Sequence, residues 1–400
     1  MRALVLLAAL ALAGCAGGPE VGPLGSANSA AKPMTADPAL PPVANLTDGV
    51  WMKGDLHIHS RHSKDSSNNP IAKIIALAEN VRMDYLLISD HDNHVNGDVA
   101  HNTWTDPEFT SKSVLLLYGA EWTTHRGHAT ALSAKPYDHQ QLYDVRDQRD
   151  VVIGAVKKKL GIHLSANHPG GSDNFGFSYD IVDSIEVWNS SVWPANARSM
   201  KIWDGMLKSG RKLTGRGGSD SHHGYPDTPS QATPLSREAP ANNVGTPTTW
   251  AFGTSRTAEA VVDALTNGRV SVSANPYAPR VEFYADRKRN GQMDMMMGDN
   301  AKPTGKPVTF RVKLSGKTVP GATYTVKVVK DGAQFTSLQM NGTAPVVDFT
   351  DTPAVGVRSY YRVEVQGPPT AYPEIPGSTA LSGNMVGLSN PIYFNFDPNF

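Results

Sequence analysis

Cysteine is almost absent: the 400-residue chain has one, Cys15. That excludes a disulfide framework and every thiolate-rich zinc motif. Any metal site must be assembled from His, Asp and Glu. An excess of charge of one sign is also missing, since Lys+Arg and Asp+Glu each total 37. No net field draws such a chain to nucleic acid, so a role that depends on charge-driven DNA or RNA binding is excluded. Long apolar runs are lacking too. The longest, Ala3 to Ala13, is too short to span a bilayer as a helix. What is present is a hydrophobic share of 40% against 18% charged, the balance of a globular chain with ample core. The length implies more than one domain, with one large and one smaller unit expected.

Met1-Arg2 precedes the apolar run, which closes in Leu12-Ala13-Gly14-Cys15. These residues resemble the lipobox of bacterial lipoproteins. The resemblance implies a signal peptide over residues 1–14, cleavage before Cys15, lipidation of that cysteine and a membrane held through the lipid. Two or more acyl chains anchor stably where one is reversible. Ala16 is not an inner-membrane retention residue, so the expected place is the bacterial cell envelope, at the outer membrane facing the periplasm. Residues 15–49 are rich in Gly, Pro, Ala and Ser without apolar periodicity, and a disordered tether is expected there. Order is expected to begin near Val50-Trp51.

All thirteen histidines lie between His57 and His223, and residues 224–400 carry none. The segments holding them alternate between helix and strand patterns. Asp55-Leu56-His57-Ile58-His59 alternates, which places His57 and His59 on one face. Ile71, Ile74, Ile75, Ala78 and Val81 mark a helix after Pro70. Tyr85 to Ile88 is a buried run that ends in Ser89-Asp90-His91-Asp92, and Val114 to Tyr118 is another, ending in Gly119-Ala120-Glu121. A helix over Val151 to Leu160 leads into a strand His163 to Ala166 and then Asn167-His168-Pro169. Ile185 to Trp188, a helix from Asn196 to Lys208, and Leu213-Thr214-Gly215 running into Gly218-Ser219-Asp220-Ser221-His222-His223 follow. A helix from Thr257 to Leu265, capped by Ser255, and a strand Val270 to Ser273 complete the region. Buried strands alternating with helices predict an α/β barrel with its site at the carboxyl rim, over residues 50–275.

Ligand counting points to chemistry. His57 and His59 can converge on one cation, with Glu121 and Asp220 as the carboxylates at strand ends. A bridging Glu121 can join a second site with His128 and His168, and Asp65, His91 and His222 can form a third. Nine ligands for two or three ions leave positions open for water, the mark of a catalytic site over a closed structural one. His125 is the alternative to His128, which is preferred because Gly127 allows close approach. His62, His94, His101 and His139 are expected in solvated loops, and His163 as a satisfied histidine away from the rim. Arg61, Arg126 and Lys64 are candidates for steadying an anionic substrate, and Glu186 and Asn189 for lining the pocket.

In order and spacing, His57-Ile58-His59 with Asp65, Ser89-Asp90-His91, Glu121, Gly127-His128, Asn167-His168-Pro169 and Gly218-Ser219-Asp220-Ser221-His222 resemble the polymerase and histidinol phosphatase (PHP) superfamily. That resemblance spans about Trp51 to Ser273. It implies a distorted (β/α)7 barrel with two or three divalent ions (zinc, manganese or iron). One ion would lie on His57, His59, Glu121 and Asp220, a second on Glu121, His128 and His168, and a third on Asp65, His91 and His222. Gly54-Asp55-Leu56-His57, Ile185-Glu186-Val187-Trp188-Asn189 and Ser389-Asn390-Pro391-Ile392 look like the branch named after bacterial carbaryl hydrolase, which includes a carbamate-ester cleaving enzyme.

Residues 276–400 read as a small C-terminal all-β sandwich, from alternation in Val281-Glu282-Phe283-Tyr284, Val308 to Leu314, Tyr324 to Val329 and Tyr360 to Val365, with a hairpin at Lys330-Asp331-Gly332. Asp286 to Asp294 has the outline of a calcium loop, but Lys288 and Met297 occupy ligand positions and exclude it. The function expected is metal-dependent hydrolysis of a small-molecule ester, with a phosphorylated substrate preferred and no nucleic acid. Asp220, His222 and His223 are the candidate catalytic residues. Hydrolysis of a carboxylic or carbamate ester by the same metals, and a non-catalytic metal-containing surface binding protein, are the alternatives.

Overall fold

The computed structural model describes residues 49–172, 174–190, 193–228, 242–376 and 384–397. The expected signal peptide, Cys15 and the tether up to residue 48 lie outside the described residues. The described residues belong to one unit, a mixed α/β architecture with one large sheet and few helices. Among the described residues no helix is long and apolar enough to cross a membrane.

Seven strands come first. β1 (Val50–Asp55), β2 (Tyr85–Leu87) and β3 (Leu115–Thr124) are parallel neighbours. β4 (Gly127–Ser133) and β5 (His163–Ala166) follow, each antiparallel to the strand before it. β6 (Ser184–Asn189) and β7 (Thr214–Gly218) continue parallel to β5. Helix α1 (Ile71–Asn80) buries Ile71, Ile74, Ile75, Leu77 and Ala78, the stripe its 3.6-residue pattern predicts. α2 (Gln140–Asp144) and α3 (Asp150–Leu160) join β4 to β5, and α4 (Trp193–Ser209) joins β6 to β7.

The strand ending at Glu121 was expected to stop there, but β3 runs on to Thr124 and turns straight back into β4. Gly127 makes this possible. Its φ is +120°, and a Cβ there would lie 2.2 Å from the Asn174 carbonyl oxygen. No helix can fit into so short a return, so regular βα alternation is broken at this point.

β8 (Thr248–Gly253) lies antiparallel to β1, and β9 (Val270–Ser273) antiparallel to β8. Between them, α5 (Ala258–Asn267) is capped by Thr257, whose Oγ1 accepts from the Ala260 N–H at 3.2 Å. Ser255 was expected in that role. Its hydroxyl sits too early in the chain and meets Thr257 Oγ1 instead.

The two ends of the seven-strand run meet. Ile58 and Ser221 form a parallel bridge, His59 N–H donates to Ser221 O at 2.8 Å, and Asp220 N–H donates to His57 O at 2.8 Å. Below this point side chains replace the backbone ladder. Ser219 N–H donates to Asp55 Oδ1 at 3.1 Å. Gly217 donates to and accepts from Thr249 Oγ1, both at 2.9 Å. Gly215 donates to Asn390 Oδ1 and accepts from Asn390 Nδ2, both at 2.7 Å. Residues 215 and 217 share one edge of β7, and Ser219 just past its end continues it, because alternate residues present their polar groups to the same side. Buried backbone groups require such partners.

From residue 280 the named elements of the described chain are all strands. β10 (Arg280–Asp286), β11 (Met295–Met296), β12 (Asn300–Ala301), β13 (Val308–Ser315) and β14 (Thr323–Lys330) come first. β15 (Ala333–Asn341), β16 (Val346–Asp351), β17 (Ser359–Gln366), β18 (Met385–Ser389) and β19 (Ile392–Phe394) follow. The hairpin at Lys330-Asp331-Gly332 joins β14 to β15, with φ of 52° at Asp331 and 77° at Gly332, as a two-residue turn requires. β10, β11, β13 and β16 form their own sheet. Phe283, Phe310 and Phe349 from it share a hydrophobic cluster with Val326, Tyr361 and Val363. β18 pairs with β9, so the large sheet continues without interruption across the boundary expected at residue 275.

Candidate metal centre

The residues after β1 continue its alternation, and His57 and His59 are both fully buried with ring centroids 5.2 Å apart. The chain beyond β2 brings His91 beside Glu121 of β3. β4 contributes His128, the end of β5 His168, and the end of β7 Asp220 and His222. Asp65 lies in a single helical turn, Lys64–Ser66.

Glu121 is the hub. Its Oε1 lies 3.2 Å from His57 Nε2, 3.3 Å from His128 Nδ1 and 3.1 Å from His168 Nε2. Its Oε2 lies 3.4 Å from His59 Nε2 and 3.0 Å from His91 Nδ1. Asp220 Oδ1 is 3.4 Å from His57 Nε2 and 3.1 Å from His59 Nε2. Asp65 Oδ2 is 3.3 Å from both His91 Nε2 and His222 Nε2. Donors held about 2.1 Å from one ion lie about 3.0 Å apart at right angles and about 3.4 Å apart at the tetrahedral angle, and these distances fall in that interval. Among the described residues four groupings could hold an ion: His59-Asp65-His91-His222, His57-His59-Glu121, His91-Glu121-His128 and His57-His168-Glu186. The nine candidate ligands named from the sequence thus come together in one place.

Two buried atoms test whether a cation fits. His57 Nε2 and His128 Nδ1 have no hydrogen-bond partner, although both approach Glu121 Oε1. Buried imidazole nitrogens left unpaired are costly, and cations held with Glu121 would satisfy them, His57 in one grouping and His128 in another. Imidazole with carboxylate is a donor set suited to zinc, iron or manganese.

The electrostatics agree. Burial alone would lower the His57 imidazole, but Asp220, Glu121 and Glu186 reverse this and raise it well above its ordinary value. His91 is pushed up to about 10, against burial, by Glu121 and Asp65. Asp220 and Glu121 are held well below the carboxylate range despite burial, by His57 and by His59 or His91. His59 goes the other way, lowered to about 4 by burial and by the neighbouring His222 and His91. A potential that holds protons on two imidazoles this strongly is one that attracts divalent cations.

A second layer fixes these side chains. Glu186, fully buried, accepts from His57 Nδ1 at 3.0 Å, from the His168 N–H at 2.8 Å and from Asn189 Nδ2 at 3.1 Å. It had been expected to line the substrate pocket; it stands behind His57 instead, with both oxygens engaged. Arg216, also fully buried, donates to Glu186 Oε1 at 2.7 Å, Ser165 Oγ at 2.7 Å, Thr130 Oγ1 at 3.0 Å and Asn167 Oδ1 at 2.5 Å. Asn167 Nδ2 in turn donates to Glu121 Oε1 at 2.8 Å. Gly218 makes room for this layer, since a Cβ there would sit 2.3 Å from Glu186 Oε1 and 2.6 Å from His57 Cβ. Arg216 and Asn167 were not among the expected functional residues. One signal existed for Arg216: it is the lone charge in Thr214-Gly215-Arg216-Gly217-Gly218, a strand buried at every position.

Other candidates fall elsewhere. Arg61 pairs with Asp106 at 2.7 Å and Glu108 at 3.0 Å, and Arg126 pairs with Asp150 at 2.7 Å and lies over the Phe177 ring. Both guanidiniums expected to steady substrate are committed to structural partners. Asn189 Nδ2 reaches Asp220 Oδ2 at 3.3 Å, which puts it beside the centre. His223 follows His222, its carbonyl accepting from Ser221 Oγ at 2.5 Å. His125 is 72% exposed and faces Asp147, so His128 is the imidazole at the centre. His62 is bonded to Asp106 at 2.7 Å, and His101, largely exposed, to Asp98. His94 packs edge-on against His91. His139 was expected in a solvated loop. It is buried, with Nε2 on Asp92 Oδ2 at 2.9 Å. His163 is buried on Ser184 and Thr266 hydroxyls. In the loop after β10, Arg287 pairs with Asp294.

No protein-family model matches the chain, and no curated protein matches it. Among solved structures it is similar to a two-domain protein from Bacteroides vulgatus described as containing a predicted PHP-like metal-dependent phosphoesterase, at 16% identity, 88% of this chain and 97% of that chain covered, and a TM-score of 0.41.

Proposed function

We propose that this chain is a metal-dependent hydrolase of the PHP type acting on phosphate esters, built on a distorted seven-stranded β/α barrel with two or three divalent ions at its rim. The observation that carries this reading is Glu121: one buried carboxylate within 3.4 Å of five imidazoles from four separate chain segments, two of which have nitrogens with no other partner. Ions bound there supply an acidified water and a Lewis acid for the reacting oxygen.

The side chains divide the remaining work. His57, His59 and Glu121 form the buried floor, with the partly buried Asp220 at its edge. Asp65, with a side chain 44% exposed, and His222, 33% exposed, form the outer group, so substrate arrives over that side. A phosphoryl group offers several non-bridging oxygens to three neighbouring cation sites, where a carboxylic ester offers one carbonyl oxygen; this favours the phosphate reading. Asn189 steadies Asp220 from the side, and His223 is our candidate for protonating the leaving oxygen. Leu12-Ala13-Gly14-Cys15 supports a lipid-anchored place in a bacterial envelope.

The test is elemental analysis of purified protein beside parallel assays of p-nitrophenyl phosphate, bis-p-nitrophenyl phosphate and p-nitrophenyl acetate. Phosphate-ester turnover lost on chelation and restored by zinc, manganese or iron is expected. Acetate turnover with both phosphates untouched would transfer the reading to carboxylic or carbamate esters. Metal-loaded protein inert to all three would leave a non-catalytic metal-containing binding protein.

A further inference from the structure

Arg216 sits between two glycines whose backbone is clamped from outside the seven-strand run. Gly217 is held by the Thr249 hydroxyl of β8 and Gly215 by the Asn390 amide, which lies 175 residues away in sequence. Asn390 is fully buried and spends its amide completely: Oδ1 on Gly215 N–H, Nδ2 on the Gly215 and Val270 carbonyls. Asn390 N–H also donates to Val270 O, and the preceding Ser389 accepts from Val363 N–H. The clamp is therefore anchored in the C-terminal strands. β7 cannot supply these contacts itself, because a Cβ on Gly215 would lie 2.7 Å from the Trp203 ring of α4.

We propose that Asn390 and Thr249 are positioning residues of the metal centre, acting through Arg216. The two clamps hold β7 on either side of the guanidinium. That guanidinium orients Glu186, which fixes His57, and Asn167, which fixes Glu121. The C-terminal strands thereby set ligand geometry without touching substrate. This inference rests on the reading of the cluster as a metal centre.

The experiment titrates metal-free full-length protein with Co²⁺, following visible absorption and calorimetry, and records melting temperature for each variant. Asn390→Asp keeps the acceptor and loses the donors; Thr249→Val keeps the shape and loses the hydroxyl. Both are expected to bind Co²⁺ about tenfold or more weakly, in line with the loss of partners behind metal ligands, with an altered absorption spectrum. Thr249→Ser, which keeps the hydroxyl, is expected to stay within about twofold of the unaltered chain. Val326→Ala, in the apolar cluster shared by the two C-terminal sheets, serves as a control that lowers melting temperature and leaves Co²⁺ binding unchanged. Unchanged affinity and spectrum in Asn390→Asp and Thr249→Val would overturn the proposal, as would both variants failing to fold, since that assigns the pair to folding alone. Absence of Co²⁺ binding by the unaltered chain would instead remove the metal-centre reading and the proposal with it.

Discussion

Glu186 Oε1 and His57 Nδ1 lie 3.0 Å apart, and this contact decides which nitrogen of the ring faces the carboxylate hub. Burial would raise the Glu186 carboxyl, but Arg216 and His57 reverse that and hold it at about 2. It is an acceptor only, so Nδ1 keeps its proton, and it is Nε2, facing Glu121 and Asp220, that gives up its proton when a cation takes its place. Glu186→Gln removes the charge that enforces this tautomer and leaves Arg216 short of an anionic partner. Its metal affinity is expected to fall by about 10–100-fold, measured by equilibrium dialysis with elemental analysis.

Glu121→Gln takes the shared carboxylate from five imidazoles. Hydrolysis is expected to drop to background, and at least one ion per chain should be lost on dialysis. Retention of full metal stoichiometry would contradict the hub role.

Gly218→Ala places a methyl against His57 Cβ and against Glu186 Oε1, which His57 and Arg216 hold in place. A destabilisation of about 1–3 kcal/mol is expected, read from denaturant midpoints, together with weaker metal binding.

Asp220 has a φ of 53°, a left-handed conformation that Asn tolerates better than Ala. Asp220→Asn should therefore be more stable than Asp220→Ala by about 1 kcal/mol, while both lose hydrolysis. Thermal melts of the metal-free variants separate the backbone effect from the loss of a ligand.

Metal-free protein should lose stability as pH rises from about 6.5 toward about 10. His57, His91, His168 and His222 are all raised, His91 to about 10. Each contributes stability fully present below its unfolded value and lost as pH climbs through the folded one. On the acid side Asp65, Glu121 and Asp220 are lowered, so their contribution fades as pH falls below about 4. His59, at about 4, also disfavours acid, costing stability as pH drops below about 6.5. Bound metal displaces the protons concerned, so the alkaline decline in melting temperature should vanish in loaded protein.

Most of the clustered side chains were legible because they stand at the end of an apolar run or on one face of an alternating pair, where local pattern carries position; Asp65, in the polar segment Arg61-His62-Ser63-Lys64-Asp65, has no such mark. The layer behind these side chains was not legible. Arg216 and Asn167 owe their places to partners up to 86 residues away (Thr130 for Arg216), which no local window contains. His139 was misread because Pro136, Asp138 and Gln140 around it look like a surface loop, while its partner Asp92 lies 47 residues upstream. Glu186 could be read from the sequence as a pocket residue or as a structural hydrogen-bonder, and its contacts with His57, His168 and Arg216 are of the second kind. The C-terminal strands were readable from alternation. Their union with β9 was not, because pairing across a long separation leaves no mark on either segment.

That union bears on how the molecule can be divided. A fragment ending near Ser273 would expose the β9 edge that Met385–Ser389 covers, four uncharged residues ready to recruit a neighbour's strand. Such a fragment is best anticipated in inclusion bodies, and the shortest soluble version of this protein should be one that keeps Ile392–Phe394.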